Sequence, residues 1–132
     1  MNLIPNARSA AIERTADADL EWQAYELQAS ICKVLADPKR LHILHLLADG
    51  ERSVGELAET LGVRQANASQ HLTVMRERGI VSTRRDGRTI YYRLANPTIL
   101  QACNIMHQVL LEQLAEQEEL SRQLKEWRTA AV

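Results

Sequence analysis

The 132-residue chain has no phenylalanine, and its only aromatic rings beyond histidine are three tyrosines and two tryptophans. Leu, Ala, Val and Ile must therefore fill whatever core it builds. No window approaches the roughly 18 consecutive apolar residues that a spanning helix needs, so no membrane span is expected. The opening stretch, MNLIPNARSAAIERTADADLEW, lacks an apolar signal core and soon turns acidic, so a secretory signal is not expected either. Together these absences point to the cytoplasm, where the two cysteines, Cys32 and Cys103, are expected as thiols and not as a structural disulfide. Internal repeats and low-complexity segments are also absent. What remains, 45% apolar and 25% charged residues, has the composition of one soluble globular domain.

Net charge is only −1, which alone argues against a nucleic-acid binder. Its distribution argues the other way. Residues 1–60 carry six basic and ten acidic side chains, and residues 94–132 three and five. Between them, residues 61–93 hold seven arginines against Glu77 and Asp86. A basic island in an acidic chain selects one surface for a polyanion, although a merely solvated arginine-rich surface has the same composition.

Apolar periodicity divides the chain. Residues 1–16 show none and are expected as a flexible arm. A domain is expected over residues 17–127, and a tail over 128–132. Leu20, Ala24, Leu27, Ile31 and Val34 make one helical stripe from about Asp17. Asp37-Pro38 then breaks that helix and starts a second, KRLHILHLLAD, with Asp37 as N-cap and Gly50 as its stop. Ser53 to Glu56 reads as a capping box that opens a short third helix ending at Gly62. After a turn of two or three residues, RQANASQHLTVMRERGI predicts a fourth helix, ended by Gly79. Two β-branched and aromatic runs flank Asp86-Gly87, a strong hairpin signal. Asn96-Pro97 opens a last helix running to about Trp127. At nearly 30 residues it is too long to bury its stripe within so small a domain, so part of it is expected to pack on a second chain.

The fourth helix carries the chemistry. Ala68, Leu72 and Met75 form its apolar stripe, and Leu57 and Leu61 are expected against Ala68 and Leu72. Gln65, Asn67, Ser69, Gln70 and Thr73 crowd the rest with amides and hydroxyls, several of them poor helix formers. Such groups both donate and accept, which suits the mixed edges of bases in the major groove. A short helix, a tight turn and a polar second helix form a helix-turn-helix, and the arginine-bearing hairpin beside it forms a wing. Arg64 at the start of the helix and Arg84, Arg85 and Arg88 on the wing are candidate DNA contacts. His71 lies about 60° from the buried stripe. A base contact and a packed, hydrogen-bonded role are both open for it.

LADPKRLHILHLL, SVGELAETLGV, RQANASQHLTVMRERGIV and RRDGRTIYYRL, in that order, resemble the ArsR/SmtB family of winged-helix repressors over about residues 20–115. The resemblance implies a mainly α fold with a small β-hairpin, in the order α-α-α-α-β-β-α. It also implies a homodimer through the first and last helices, binding to a double-stranded operator, and release by a small inducer. Gln65, Asn67, Ser69, Gln70 and His71 then fall in the DNA-reading segment.

The family's inducer sites can be checked against these residues. A thiolate site at the start of the third helix is excluded, because SVGELAE has no cysteine. A zinc-type site on the last helix would meet Asn104, Met106, His107, Glu112 and Glu116, too few good ligands, although Cys103 and His107 share one face and leave a thiophilic metal or metalloid as an alternative. Otherwise no cofactor is expected. A thiol switch would use Cys32 and Cys103, responding to reactive sulfur species or oxidants, if the two approach within about 7 Å between Cα atoms. Cys103 fits the family's pattern, whereas Cys32 precedes the LADPKR segment instead of following it, as the family's other cysteine does. Cys103 lies at the centre of its stripe, as a buried inert thiol would, while Cys32 sits about 100° off its own. Lys33 and Lys39 are near Cys32 in sequence, and His42 and His45 read as structural. The competing functional class is a winged-helix protein-interaction module, which should lack Gln65, Asn67 and the wing arginines. A thiol enzyme has no supporting motif.

Overall fold

The computed structural model describes the backbone of residues 7–130 and the side chains of residues 15–130. The helices are α1 (Ala7–Leu35), α2 (Pro38–Leu46), α3 (Val54–Leu61), α4 (Gln65–Glu77) and α5 (Thr98–Ala130). A single 3₁₀ turn, Leu47–Asp49, follows α2. The strands are β1 (Arg52–Ser53), β2 (Val81–Asp86) and β3 (Thr89–Leu94), arranged antiparallel in the order β1-β3-β2. The fold is a winged helix-turn-helix, mainly helical as expected.

The helix boundaries follow local chemistry. Asp37 adopts an extended conformation, and its Oδ1 accepts the N–H groups of Lys39 at 2.9 Å and Arg40 at 3.2 Å. Pro38 takes the first helical position, where its missing N–H costs nothing. Ser53 Oγ caps α3 by accepting the Glu56 N–H at 3.2 Å. Gly62, at φ 67°, ends α3 in a left-handed conformation that other L-residues adopt only with strain. Three residues, Gly62 to Arg64, then turn the chain into α4. Asn96 Oδ1 accepts the Thr98 N–H at 3.0 Å and opens α5.

Every layer contributes to one core. Val34 comes from the end of α1, Ile43 and Leu44 from α2, and Leu47 from the 3₁₀ turn. Leu57 of α3 and Leu72 and Met75 of α4 have no exposed surface, and Ile80, Val81 and Tyr92 close the sheet side. Ala68 is also fully buried, and Leu57 shares the core with Leu72 as expected from the sequence. Leu61 is half-buried at its edge.

Several expectations need correction. The first helix starts at Ala7, so residues 7–16 of the expected arm are helical; residues 1–6 lie outside the described residues. Alanine, arginine and glutamate in this stretch have high intrinsic propensity, and extending an existing helix needs no new nucleus. Arg128 to Ala130 of the expected tail belong to α5, and residues 131–132 are outside the described residues. Strand β1 went unanticipated, because two residues carry no period. In the hairpin, Asp86 pairs with Thr89, so Gly87-Arg88 is the loop and not Asp86-Gly87. Gly87 has φ 62° and Arg88 does not share a positive φ, which is the pattern of a loop with glycine at its first central position. Finally, the stripe of α1 is exposed except at Val34, with Leu20 and Leu27 about two-thirds exposed.

Two stability outcomes follow. Leu72→Ala should cost about 2–5 kcal/mol in urea denaturation, because a filled site in the core would be left as a cavity. Asp37→Ala should cost about 1 kcal/mol through loss of the cap. Desolvation acts to raise the Asp37 carboxyl pKa, but the Arg40 and Lys39 N–H donors and the Arg40 charge outweigh it and hold it below its ordinary 3.8. Its contribution is therefore present above that value and is lost as pH falls through the lowered one. Denaturation midpoints measured down the acid limb should converge for wild type and Asp37→Ala.

Candidate nucleic-acid interface

The apolar stripe of α4 fixes which side faces out. With Ala68, Leu72 and Met75 in the core, the exposed residues are Gln65, Ala66, Gln70, Thr73, Arg76 and Glu77. Gln65 and Gln70 stand free on this face. The Thr73 hydroxyl donates to the Ser69 carbonyl at 2.8 Å, so only its oxygen lone pairs remain to receive a donor. Ser69 is half-buried. Asn67 is also half-buried, and its Oδ1 is shut away from water without a hydrogen-bond donor. That orphaned acceptor costs about 1–3 kcal/mol unless a donor arrives.

His71 turns inward. Its Nδ1 lies 3.4 Å from Arg40 Nη1, and a guanidinium can only donate, so Nδ1 accepts and a neutral ring carries its proton on Nε2. The Arg40 Nε donates to the Val34 carbonyl near the C-terminus of α1. One side chain thus ties α1, α2 and the recognition helix together. Of the two roles open to His71, the structure shows the packed, hydrogen-bonded one. His45 is structural too, with its Nδ1–H donating to the Leu41 carbonyl at 2.8 Å.

The wing arginines divide into two kinds. Arg84 grips Glu51 through Nη2 at 2.5 Å and Nε at 3.2 Å, and its guanidinium lies 4.6 Å over the Tyr91 ring. The hydrogen bond from Arg84 pulls the Glu51 carboxyl below its usual range, so the pair stays charged at neutral pH. Arg84 is therefore engaged within the chain, pinning the wing to the segment before β1, and is not a free DNA contact. Arg93 donates to Ser82 Oγ at 3.1 Å across the hairpin. Arg85 on β2, Arg88 in the loop and Arg64 at the N-cap of α4 are exposed, and among the described residues none forms an ion pair. Arg64 makes no side-chain cap, and no acid occupies the first turn of α4. The positive end of that helix thus carries one unpaired guanidinium, Arg64, and the wing carries two, Arg85 and Arg88.

Two participants escaped the sequence reading. Ala66 is exposed on the outward face, a small apolar group of the kind that meets a thymine methyl; its place opposite the stripe was readable from helical spacing. Glu51 is 33 residues from Arg84, and no local pattern links them.

The candidate sensor residues sit elsewhere. Cys32 is exposed near the end of α1, and Cys103 is half-buried near the start of α5. Burial pushes the Cys103 thiol up, and the charge of Cys32 adds to the effect. His107 is exposed one turn beyond Cys103. Among the described residues no group of three or more His, Cys, Asp or Glu converges as a metal site.

A core-docked helix with a polar face, a three-residue turn before it and an arginine wing beside it define a DNA-binding transcriptional regulator. Residues 37–83 match the model of the bacterial regulatory protein, arsR family. An uncharacterised HTH-type transcriptional regulator of Mycobacterium tuberculosis is 41% identical over 93 residues, 70% of this chain and 82% of that one. Its crystal structure superposes with a TM-score of 0.66 at 40% identity, over 71% of this chain and 95% of the other. A biofilm growth-associated repressor of Xylella fastidiosa is 36% identical over 111 residues, 84% of this chain and 96% of its own length. A Mycobacterium bovis solution structure, a homodimeric winged helix-turn-helix DNA-binding domain, aligns with TM-score 0.63 at 31% identity, over 86% of this chain and 94% of that one. The chain belongs to the arsR family and is a transcriptional regulator, not an enzyme.

Binding measured against salt should separate the wing arginines. Arg85→Ala and Arg88→Ala should each lower the slope of log affinity against log salt by about 1, with little change in sequence preference. Gln70→Ala should instead relax discrimination at one base pair by about 1–3 kcal/mol, leaving the slope unchanged. Glu51→Gln and Arg84→Ala should resemble each other, since each breaks the same pin.

Proposed function

We propose that the protein is a homodimeric repressor that binds a double-stranded DNA operator through α4 and the wing and releases it when the thiols of Cys32 and Cys103 react. The observation that carries the DNA reading is the outward face of α4, on which Gln65 and Gln70 stand exposed next to Arg64 at its start. Bases would be read by Gln65, Gln70, Thr73 and Ala66, with Asn67 and Ser69 at the margin. Phosphates would be held by Arg64, Arg85 and Arg88. An interaction module would have no need of these groups. The repressor function is in keeping with the Xylella relative, and the homodimer with the Mycobacterium bovis domain. The apolar residues of α1 and α5, exposed in the single chain, are the surfaces that a second copy would cover.

Reactive sulfur species or oxidants are the proposed inducers. With peroxide, the two thiols give up two protons and two electrons, an S–S bond forms, and peroxide is reduced to two waters. Support comes from their place on the helices that would form the dimer, with Cys32 exposed and Cys103 half-buried. Two recognition helices must meet successive major grooves roughly 34 Å apart, so tying α1 to α5 would change affinity by moving that spacing. The metal alternative has Cys103 and His107 only, with no third ligand gathered among the described residues.

The experiment is peptide mass spectrometry alongside operator binding. Treatment with polysulfide or peroxide should yield a Cys32–Cys103 crosslink and weaken operator binding, and Cys32→Ser or Cys103→Ser should abolish both effects. Unmodified thiols beside a tightly bound thiophilic metal would overturn the thiol switch. Binding that ignores both salt and sequence would sink the repressor reading itself.

A further inference from the structure

A cleft of about 320 Å³ lies where the end of α1, the turn from α4 into β2 and the start of α5 come together. That volume is at the lower end of the range of small-molecule sites, about 300–1,000 Å³. Its apolar wall is Ile31 of α1, Ile80 just before β2, and Ile99 and Ala102 of α5. Ile80 is almost wholly buried and forms the floor, while Ile31 and Ala102 are exposed at the sides. The polar groups of the cleft are Arg78, Asn96 and Thr98, all exposed at its rim.

This rim is made of donors. A guanidinium donates and never accepts. That of Arg78 has no ion pair among the described residues. Asn96 Oδ1 is already committed to the Thr98 N–H at 3.0 Å, which leaves the amide NH₂ to donate. The Thr98 hydroxyl has no hydrogen bond among the described residues and is free to donate as well. No acidic side chain lines the cleft. Arg78 also borders two neighbouring clefts, but Glu26 lines one and Glu77 the other. An anion is opposed in those two and unopposed in this one.

We propose that this cleft binds a small aliphatic carboxylate, with its charged end on Arg78, Asn96 and Thr98 and its chain against the isoleucines and Ala102. A carboxylate only accepts hydrogen bonds, so it matches a rim of donors, and its charge answers that of Arg78. A neutral apolar molecule would cover the wall and leave the guanidinium unanswered. Inorganic phosphate would match the rim and leave the isoleucines wet. An apolar side chain from a second copy would shut Arg78 away from water without a partner. The walls belong to the end of the recognition helix and to the two long helices, so a bound acid touches both the reading element and the proposed dimer helices. It is a second effector input beside the thiols, and that effector role rests on the repressor reading.

Octanoate titrated calorimetrically into the reduced full chain tests the site without DNA. It should bind once per chain. Arg78→Gln should weaken binding about tenfold or more, since it removes charge-assisted hydrogen bonds. Ala102→Trp should abolish binding by filling the cleft, with helicity unchanged because this position is exposed. 1-Octanol keeps the chain and acetate keeps the charge, and both should bind far more weakly than octanoate. Octanol that binds as tightly as octanoate would overturn the carboxylate assignment. Octanoate affinity unchanged by both substitutions would place the ligand elsewhere and overturn the site. No octanoate binding overturns it too, and a shift of Arg78→Gln toward monomer in sedimentation would then give the cleft to a second copy. Saturating octanoate should also change operator affinity in the wild type and not in Arg78→Gln. Unchanged affinity removes the effector role and leaves the site standing. Absence of operator binding under every condition removes the repressor reading, and calorimetry still decides the site.

Discussion

The docking of α4 is the constraint on which the rest depends. Ala68, Leu72 and Met75 must all be buried against Leu57, Ile43 and Leu44 for the helix to hold one rotation about its axis. That rotation decides which amides face outward. Ala68 has a particular place here, because a larger side chain would lift α4 off α3 and tilt the reading face. Stability and recognition are therefore two sides of one helix, and a change in the core would be felt at the DNA without touching it.

Around that helix, polar side chains act as struts. Arg40 links the last turn of α1 to His71 on α4, and Asp37 fixes the start of the helix that carries Arg40. Arg84 and Glu51 hold the wing to the strand segment beside it. These pairs are partly exposed, so each contributes little to global stability once water screens it. Their value is geometric, since they set the angle at which helix and wing present their free guanidiniums. The arginines divide accordingly into those that brace the site and those left to bind.

The two long helices belong to a different level of organisation. The first reaches the core only at its end, at Val34 and Leu35, and the last runs clear of it beyond Cys103; together they carry most of the exposed large apolar residues. A domain of this size has too little interior to cover them. Both cysteines sit at the points where these helices meet the core, so chemistry there would act on how two copies are held and not on the reading face.

By itself, the sequence determined the elements governed by near neighbours. Helical spacing marked α2, α3, α4 and α5; Asp37, Ser53 and Asn96 marked their starts; and the polar face of α4 announced its purpose. These signals are local because caps and stripes act over three or four residues. Tertiary structure decided the rest. It closed the hairpin on Gly87-Arg88, added β1 through its pairing with Tyr91 and Tyr92, turned His71 toward Arg40 and took Arg84 out of the free set. Apart from the hairpin, each of these depends on partners 31 to 40 residues apart, brought together only when the core forms, and no periodic pattern along the chain encodes such a meeting.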